Sequence, residues 1–181
     1  MSVPESLRFT YEDYLLLPED RRYEIVDGDL FLTPAPTPYH QTVAKRLGFL
    51  LDAYVQERKL GEVFIAPCDV VLSRFDVLQP DVFFISAARL SIIGEKYISD
   101  APDLVVEVLS PSTADRDQVA KARQYAKFGV VEMWIVDPKA RSAEIFRNSP
   151  EGFHREAVYA AADVLRSPAL PGLEIALDRV F

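Results

Sequence analysis

The sequence predicts a fold of the α/β (α+β) class, and three stretches carry that expectation. Residues 104–138, LVVEVLSPSTADRDQVAKARQYAKFGVVEMWIVDP, have the order strand, turn, helix, strand. Residues 21–34, RRYEIVDGDLFLTP, have two apolar segments around Asp27-Gly28, the dipeptide that a type I′ hairpin turn favours. From His40 to Lys59 the apolar residues Val43, Leu47, Leu50, Leu51 and Tyr54 recur at helical spacing.

Taken in order, Thr10 with Asp13 three residues on signals a short capped helix that Pro18 ends. The hairpin follows, and then Pro34, Pro36 and Pro38 stiffen a loop that leads into the 40–59 helix, with Gly61 as its expected close. VFIAPCDVVLS is expected as one strand with Asp69 inside it, and residues 74–77 as a connection. Residues 79–85 give another strand with Asp81 at its entrance, followed by a polar connection over 86–103 with room for a short helix. LVVEVL has the β-branched richness of a buried strand. Pro111 then enforces a turn, and Ser112 or Thr113 is available as an N-cap. Gly129 marks the end of the next helix, and Asp137-Pro138 stops the return strand. The remainder is expected as a hairpin turning at Asn148–Gly152 and a finishing segment. With no repeats, low-complexity runs or linkers, residues 1–181 read as a single domain.

The chain has 181 residues, 49% of them hydrophobic, enough to fill a core. Its 28 acidic and 20 basic residues leave a net charge of −8, with a pI near 4.8. That balance argues against coating nucleic acid by net charge, but not against a local basic patch or a metal-bridged phosphate contact. A lone cysteine, Cys68, rules out an internal disulfide and suits a reducing cytoplasm. Residues 1–17 lack the basic and apolar regions of a signal peptide. No window approaches the ~18 apolar residues of a membrane span.

One residue is out of place in the buried strand, the carboxylate Glu107. An unpaired buried carboxylate costs several kcal/mol, so either Glu107 lies near water or a cation waits beside it. Asp81 at the entrance of the preceding strand is the other acid of interest. Two carboxylates on neighbouring strands can hold a hard divalent cation that keeps several waters. Such an ion can polarise a phosphodiester and activate water, and a nearby lysine can stabilise the developing charge. At roughly 100° per residue, Lys121 falls between Tyr125 and Phe128, on the shoulder of its helix's apolar face. The plainer alternative is a surface pair with Asp117, its stem packed on Tyr125.

The ordered set YEIVDG at 23–28, TPAPTPYH at 33–40, QPDVFF at 79–84, LVVEVLSPST at 104–113, Asp117/Lys121/Tyr125, and GVVEMWIVDP at 129–138 resembles the restriction endonuclease family once catalogued as a domain of unknown function, within the PD-(D/E)xK nuclease superfamily. The resemblance spans about residues 10–170. It implies a restriction-endonuclease-like core, a mixed central β-sheet flanked by helices, with the N-terminal hairpin attached. It also implies a Mg²⁺ site (Mn²⁺ as a substitute) at the sheet's edge and DNA as the partner. Asp81 corresponds to the motif aspartate and Glu107 to the motif acid. Leu109 stands where the superfamily usually has a lysine, so Lys121 would be a lysine that has migrated onto the following helix.

Of the remaining residues, Glu24 is either an extra acidic ligand or an exposed hairpin carboxylate. His40 either touches substrate or metal, or caps and packs. Asp69 is expected to be structural, Gln79 to neighbour Asp81, Trp134 and Tyr125 to be core aromatics, and His154 to be ordinary surface. Ser110 has no sequence-local base to make it a nucleophile. Two functions stand against each other: a Mg²⁺-dependent DNA endonuclease, and a catalytically inactive interaction protein that keeps the nuclease fold. For the enzyme, two-strand cutting suggests a homodimer or higher homo-oligomer.

Overall fold

The computed structural model describes residues 8–18, 20–110 and 115–181, with backbone alone at 115–117. The expected turn and cap at Pro111, Ser112 and Thr113, the Asp117 side chain, and residues 1–7 lie outside the described residues.

Thr10 opens α1 (Tyr11–Tyr14) with the expected reciprocal cap, its hydroxyl accepting from the Asp13 N–H and its own N–H donating to the Asp13 carboxylate. β1 (Arg22–Val26) and β2 (Asp29–Thr33) form the hairpin, with Asp27 at φ 50° and Gly28 at φ 83°, as the turn requires. α2 (Pro38–Arg58) starts earlier than its apolar spacing suggests, because Thr37 caps it and Pro38 occupies its first turn.

Lys59, not Gly61, closes α2, in the left-handed conformation at φ 54°. Gly61 instead starts β3 (Gly61–Ile65), where a Cβ would lie 2.0 Å from the carbonyl oxygen of Ile85. The single strand expected over residues 63–73 is also two. Pro67, which cannot donate to a ladder, ends the pairing after β3, and the chain leaves for a different sheet as β4 (Val70–Ser73). Asp69 therefore lies in a connection. The expected connection at 74–77 contains the start of β5 (Asp76–Leu78), which pairs with β4 and reaches back to β1 through Ile25 and Val77.

β6 (Val82–Ser86), a 3₁₀ turn (Ala87–Ile92), β7 (Leu104–Val108), α3 (Asp115–Lys127) and β8 (Glu132–Asp137) follow the expected order, with Gly129 in a left-handed conformation after α3. β9 (Ser142–Ser149) and β10 (Gly152–Ala160) form the next hairpin, and β11 (Val164–Arg166) with β12 (Glu174–Ala176) a further one. No helix among the described residues is long and apolar enough to cross a membrane.

The strands build a six-stranded sheet ordered β10-β9-β8-β7-β6-β3 and a four-stranded sheet ordered β2-β1-β5-β4. β7 and β8 are parallel and the other pairs antiparallel, so the central sheet is mixed. Alternation along β7 divides the core. Leu104, Val106 and Val108 pack with Val43, Leu47 and Leu51 of α2. Val105 faces the opposite side, packing with Tyr125 of α3 and with Val26, Val70 and Leu78 of the smaller sheet. The N-terminal hairpin is thus half of a second sheet, held by pairings some 50 residues apart in the chain. The free edge β10 carries a bulge between Arg155 and Ala157.

The C-terminal hairpin is fastened by one carboxylate. Glu132 is fully buried and accepts from the Trp134 indole at 2.7 Å, the Ser167 hydroxyl at 2.6 Å and the Ala169 N–H at 3.0 Å. Glu132→Ala strands three donors in the core. We expect a loss of about 3 kcal/mol or more in chemical denaturation, whereas a loss below about 1 kcal/mol would show that the clasp is dispensable.

Candidate metal and phosphodiester site

β6 and β7 run antiparallel with Val82 opposite Val106. One step beyond that pairing, Asp81 stands opposite Glu107. Opposed residues of an antiparallel pair share a face, and like charges there destabilise the sheet. The ladder ends at this point in a side-chain contact: the Val108 N–H donates to Asp81 Oδ2 at 2.8 Å. Glu107 projects, like Val105, toward α3. Its Oε1 accepts from the Tyr125 hydroxyl at 2.6 Å.

Burial pushes the Glu107 carboxyl up to about 8, from an ordinary 4.5. The Lys121 charge pulls it down, the Asp81 and Glu24 charges push it up, and the Tyr125 hydrogen bond lowers it. The same contact, after burial, raises the Tyr125 phenol. Glu107, Lys121 and Tyr125 line a narrow cavity of about 30 Å³, enough for a water or two.

Lys121 points inward, as its position on the helix wheel suggests. Its ammonium lies 2.5 Å from Glu24 Oε2, with the side chains only 10% and 2% exposed. The alternative pairing with Asp117 falls on a side chain outside the described residues; this pairing with Glu24 is a buried one. Glu24, likewise, is not an exposed hairpin carboxylate. It also accepts from the Thr33 hydroxyl at 3.2 Å and from the Gln79 N–H at 2.8 Å, which ties β1 to the approach of β6.

His40, in the first turn of α2, is buried. Its Nε2 lies 2.8 Å from the Val108 carbonyl oxygen and 3.3 Å from Asp81 Oδ2. Burial lowers its pKa, but the hydrogen bond and charge of Asp81 and the Val108 carbonyl outweigh that and raise it. Nδ1 has no hydrogen-bond partner among the described residues. The structure thus gathers Asp81, Glu107, Lys121, Glu24 and His40 around the Asp81–Glu107 step.

The other singled-out residues fall elsewhere. Asp69 accepts from the Tyr14 hydroxyl at 2.8 Å and from the Gln79 amide at 2.7 Å, which is a structural role. Trp134 is a core residue and His154 a surface one beside Glu156. Ser110 has interactions of its own. Tyr125, expected as a core aromatic, is also the hydroxyl that holds Glu107. The i, i+4, i+8 row through Lys121 and Tyr125 is the signal that could have found it.

Among the described residues, no three His, Cys, Asp or Glu side chains are grouped to hold a metal ion. A closed, all-protein cage does not fit this site. Two opposed carboxylates, with a small cavity beside Glu107, do fit Mg²⁺, which keeps much of its hydration and takes one or two carboxylates.

Three comparisons place the chain. Residues 11–178 match the family model described as "Uma2: Putative restriction endonuclease". An uncharacterized protein of Synechocystis sp. is 26% identical over 176 residues, covering 94% of this chain and 90% of that one. A crystal structure described as "a putative nuclease belonging to DUF820", from Anabaena variabilis, superposes with a TM-score of 0.79 at 19% identity, covering 95% of this chain and 97% of the other. The last match concerns the fold, a mixed sheet flanked by helices with a nuclease-like neighbour. Since the family model spans nearly all of the chain, this protein belongs to the family described as "Uma2: Putative restriction endonuclease", with a restriction-endonuclease-like fold.

Proposed function

We propose that this chain is a divalent-metal-dependent endonuclease that hydrolyses phosphodiester bonds in DNA. The observation that carries the reading is the opposition of Asp81 and Glu107 across β6 and β7, with the buried Lys121 ammonium beside them. In this reading Asp81 and Glu107 hold Mg²⁺ or Mn²⁺, and water completes the ion's shell. The chemistry such an ion supplies when bound is polarisation of the phosphate and activation of a water. His40 fixes the orientation of Asp81, and Tyr125 that of Glu107. Glu24 aims Lys121, whose charge stabilises the negative charge developing on phosphate. Cutting both strands is simplest with two symmetric copies, so a cytoplasmic homodimer or higher homo-oligomer belongs to the same reading.

The Glu24–Lys121 pair also favours a second reading, an interaction protein that keeps the nuclease fold. An ammonium already neutralised by a carboxylate has less charge to offer a phosphate. Calorimetric titration with Mg²⁺ and Mn²⁺ separates the two. The enzyme reading requires binding, with DNA cleavage, that falls at least about a hundredfold in Asp81→Asn and in Glu107→Gln while the fold persists. Absence of any heat, and of any cut in linear, circular or single-stranded DNA, would leave the second reading.

Removing one member of a buried pair strands the other charge, a loss of about 3–5 kcal/mol. Lys121→Met should therefore lower stability by that order, and the double variant Glu24→Gln/Lys121→Met should recover most of it in a denaturation cycle. Additive losses would mean that the two charges do not stabilise each other.

The Glu107 shift gives a pH dependence of stability. A carboxyl whose folded pKa stands above its unfolded value binds its proton more tightly when folded. Its contribution is complete below pH 4.5 and is lost as pH rises through about 8. Metal-free protein should thus be less stable at pH 8.5 than at pH 6, with a shallower decline in Glu107→Gln. Identical slopes for the two proteins would remove the raised carboxyl. Mg²⁺ affinity should rise over the same interval, because the ion competes with that proton.

A further inference from the structure

A second, larger cavity of about 470 Å³ opens beside this site, within the size range of small-molecule pockets. It lies where the residues after α1, the start of β1 and the Pro67 connection meet. Three cations line it: Arg21, Arg22 and Lys96. Among the described residues, none of the three makes an ion pair. The carboxylate in the wall, Asp69, is occupied by the Tyr14 hydroxyl and the Gln79 amide. Tyr14 and Tyr23 supply aromatic surface. Gln79 links the cavity to the proposed cleavage site: its side chain lies on Asp69 in the cavity wall, and its N–H donates at 2.8 Å to Glu24, the partner of Lys121.

We propose that this cavity binds one nucleotide of the DNA strand flanking the scissile phosphate. Its phosphate is met by Arg21, Arg22 and Lys96, and its base lies against Tyr23. The proposal rests on the nuclease reading for its substrate class. The chemistry is that of single-strand binding, where cations follow the backbone and aromatic rings accept any base by stacking. It also gives an acidic protein a local place to hold DNA, because three of its cations line one cavity.

The test is binding of a fluorescently labelled single-stranded oligonucleotide in EDTA, which requires neither metal nor cleavage. Arg22→Gln/Lys96→Gln should weaken binding about tenfold or more. The slope of log affinity against log salt should also become shallower, by about 0.7 for each phosphate that the variant no longer neutralises. Lys59→Gln/Arg147→Gln removes the same charge at the opposite end of the six-stranded sheet and should change affinity less than twofold. Tyr23→Leu should weaken the oligonucleotide at least about fivefold and leave inorganic tripolyphosphate unaffected. The proposal is overturned if wild-type protein binds no oligonucleotide, if both charge variants weaken equally, or if Tyr23→Leu binds like wild type. The last result would leave a plain anion site. Intact oligonucleotide binding without any Mg²⁺-dependent cleavage would sink the nuclease reading and leave the pocket standing.

Discussion

The structure depends on a repulsion that the sheet cannot avoid. Antiparallel register sets Asp81 against Glu107 on one face, at the end of the β6–β7 ladder. The lysine that comes near, Lys121, is held by Glu24. Hydrogen bonds compensate instead, with a backbone N–H on Asp81 and a phenol on Glu107, and the His40 imidazole stands against Asp81. Glu107 meets the remaining imbalance by keeping its proton to high pH. A pair of carboxylates arranged at such cost is what a hard cation would relieve, and perturbed acids in a cleft are a recognisable mark of functional sites.

The two sheets have separate tasks around that pair. The six-stranded sheet presents both acids. The smaller one presents Glu24, and through it fixes where the Lys121 ammonium lies. Lys121, on α3, thus meets a partner from a distant part of the chain, Glu24 of β1. α2 contributes from the far side of the central sheet, sending His40 to the Val108 carbonyl.

Much of this is legible in the residues. Asp27-Gly28, Thr10 with Asp13, and the strand–helix–strand unit are local signals, fixed by turn chemistry, caps and periodicity, and they appear where expected. Lys121's inward direction follows from the wheel. What periodicity does not record is pairing at long range. β5 is too short to show a pattern, so the second sheet is invisible in the sequence and Glu24 cannot be matched there with its lysine. The break at Pro67 is readable, since proline cannot donate to a ladder, but β-branched residues on both sides mask it. Gly61 misleads because helix ends and tight strand contacts both favour glycine. Here the contact with Ile85 decides.

The bulged rim of β10 has one more effect. An exposed outer strand with regular pairing invites a neighbour to add another, which is how sheets polymerise. His154, Arg155 and Glu156 stand on this strand, and the extra residue spoils its spacing. A bulged, charged margin of this kind discourages further pairing, and among the described residues the sheet ends at six strands.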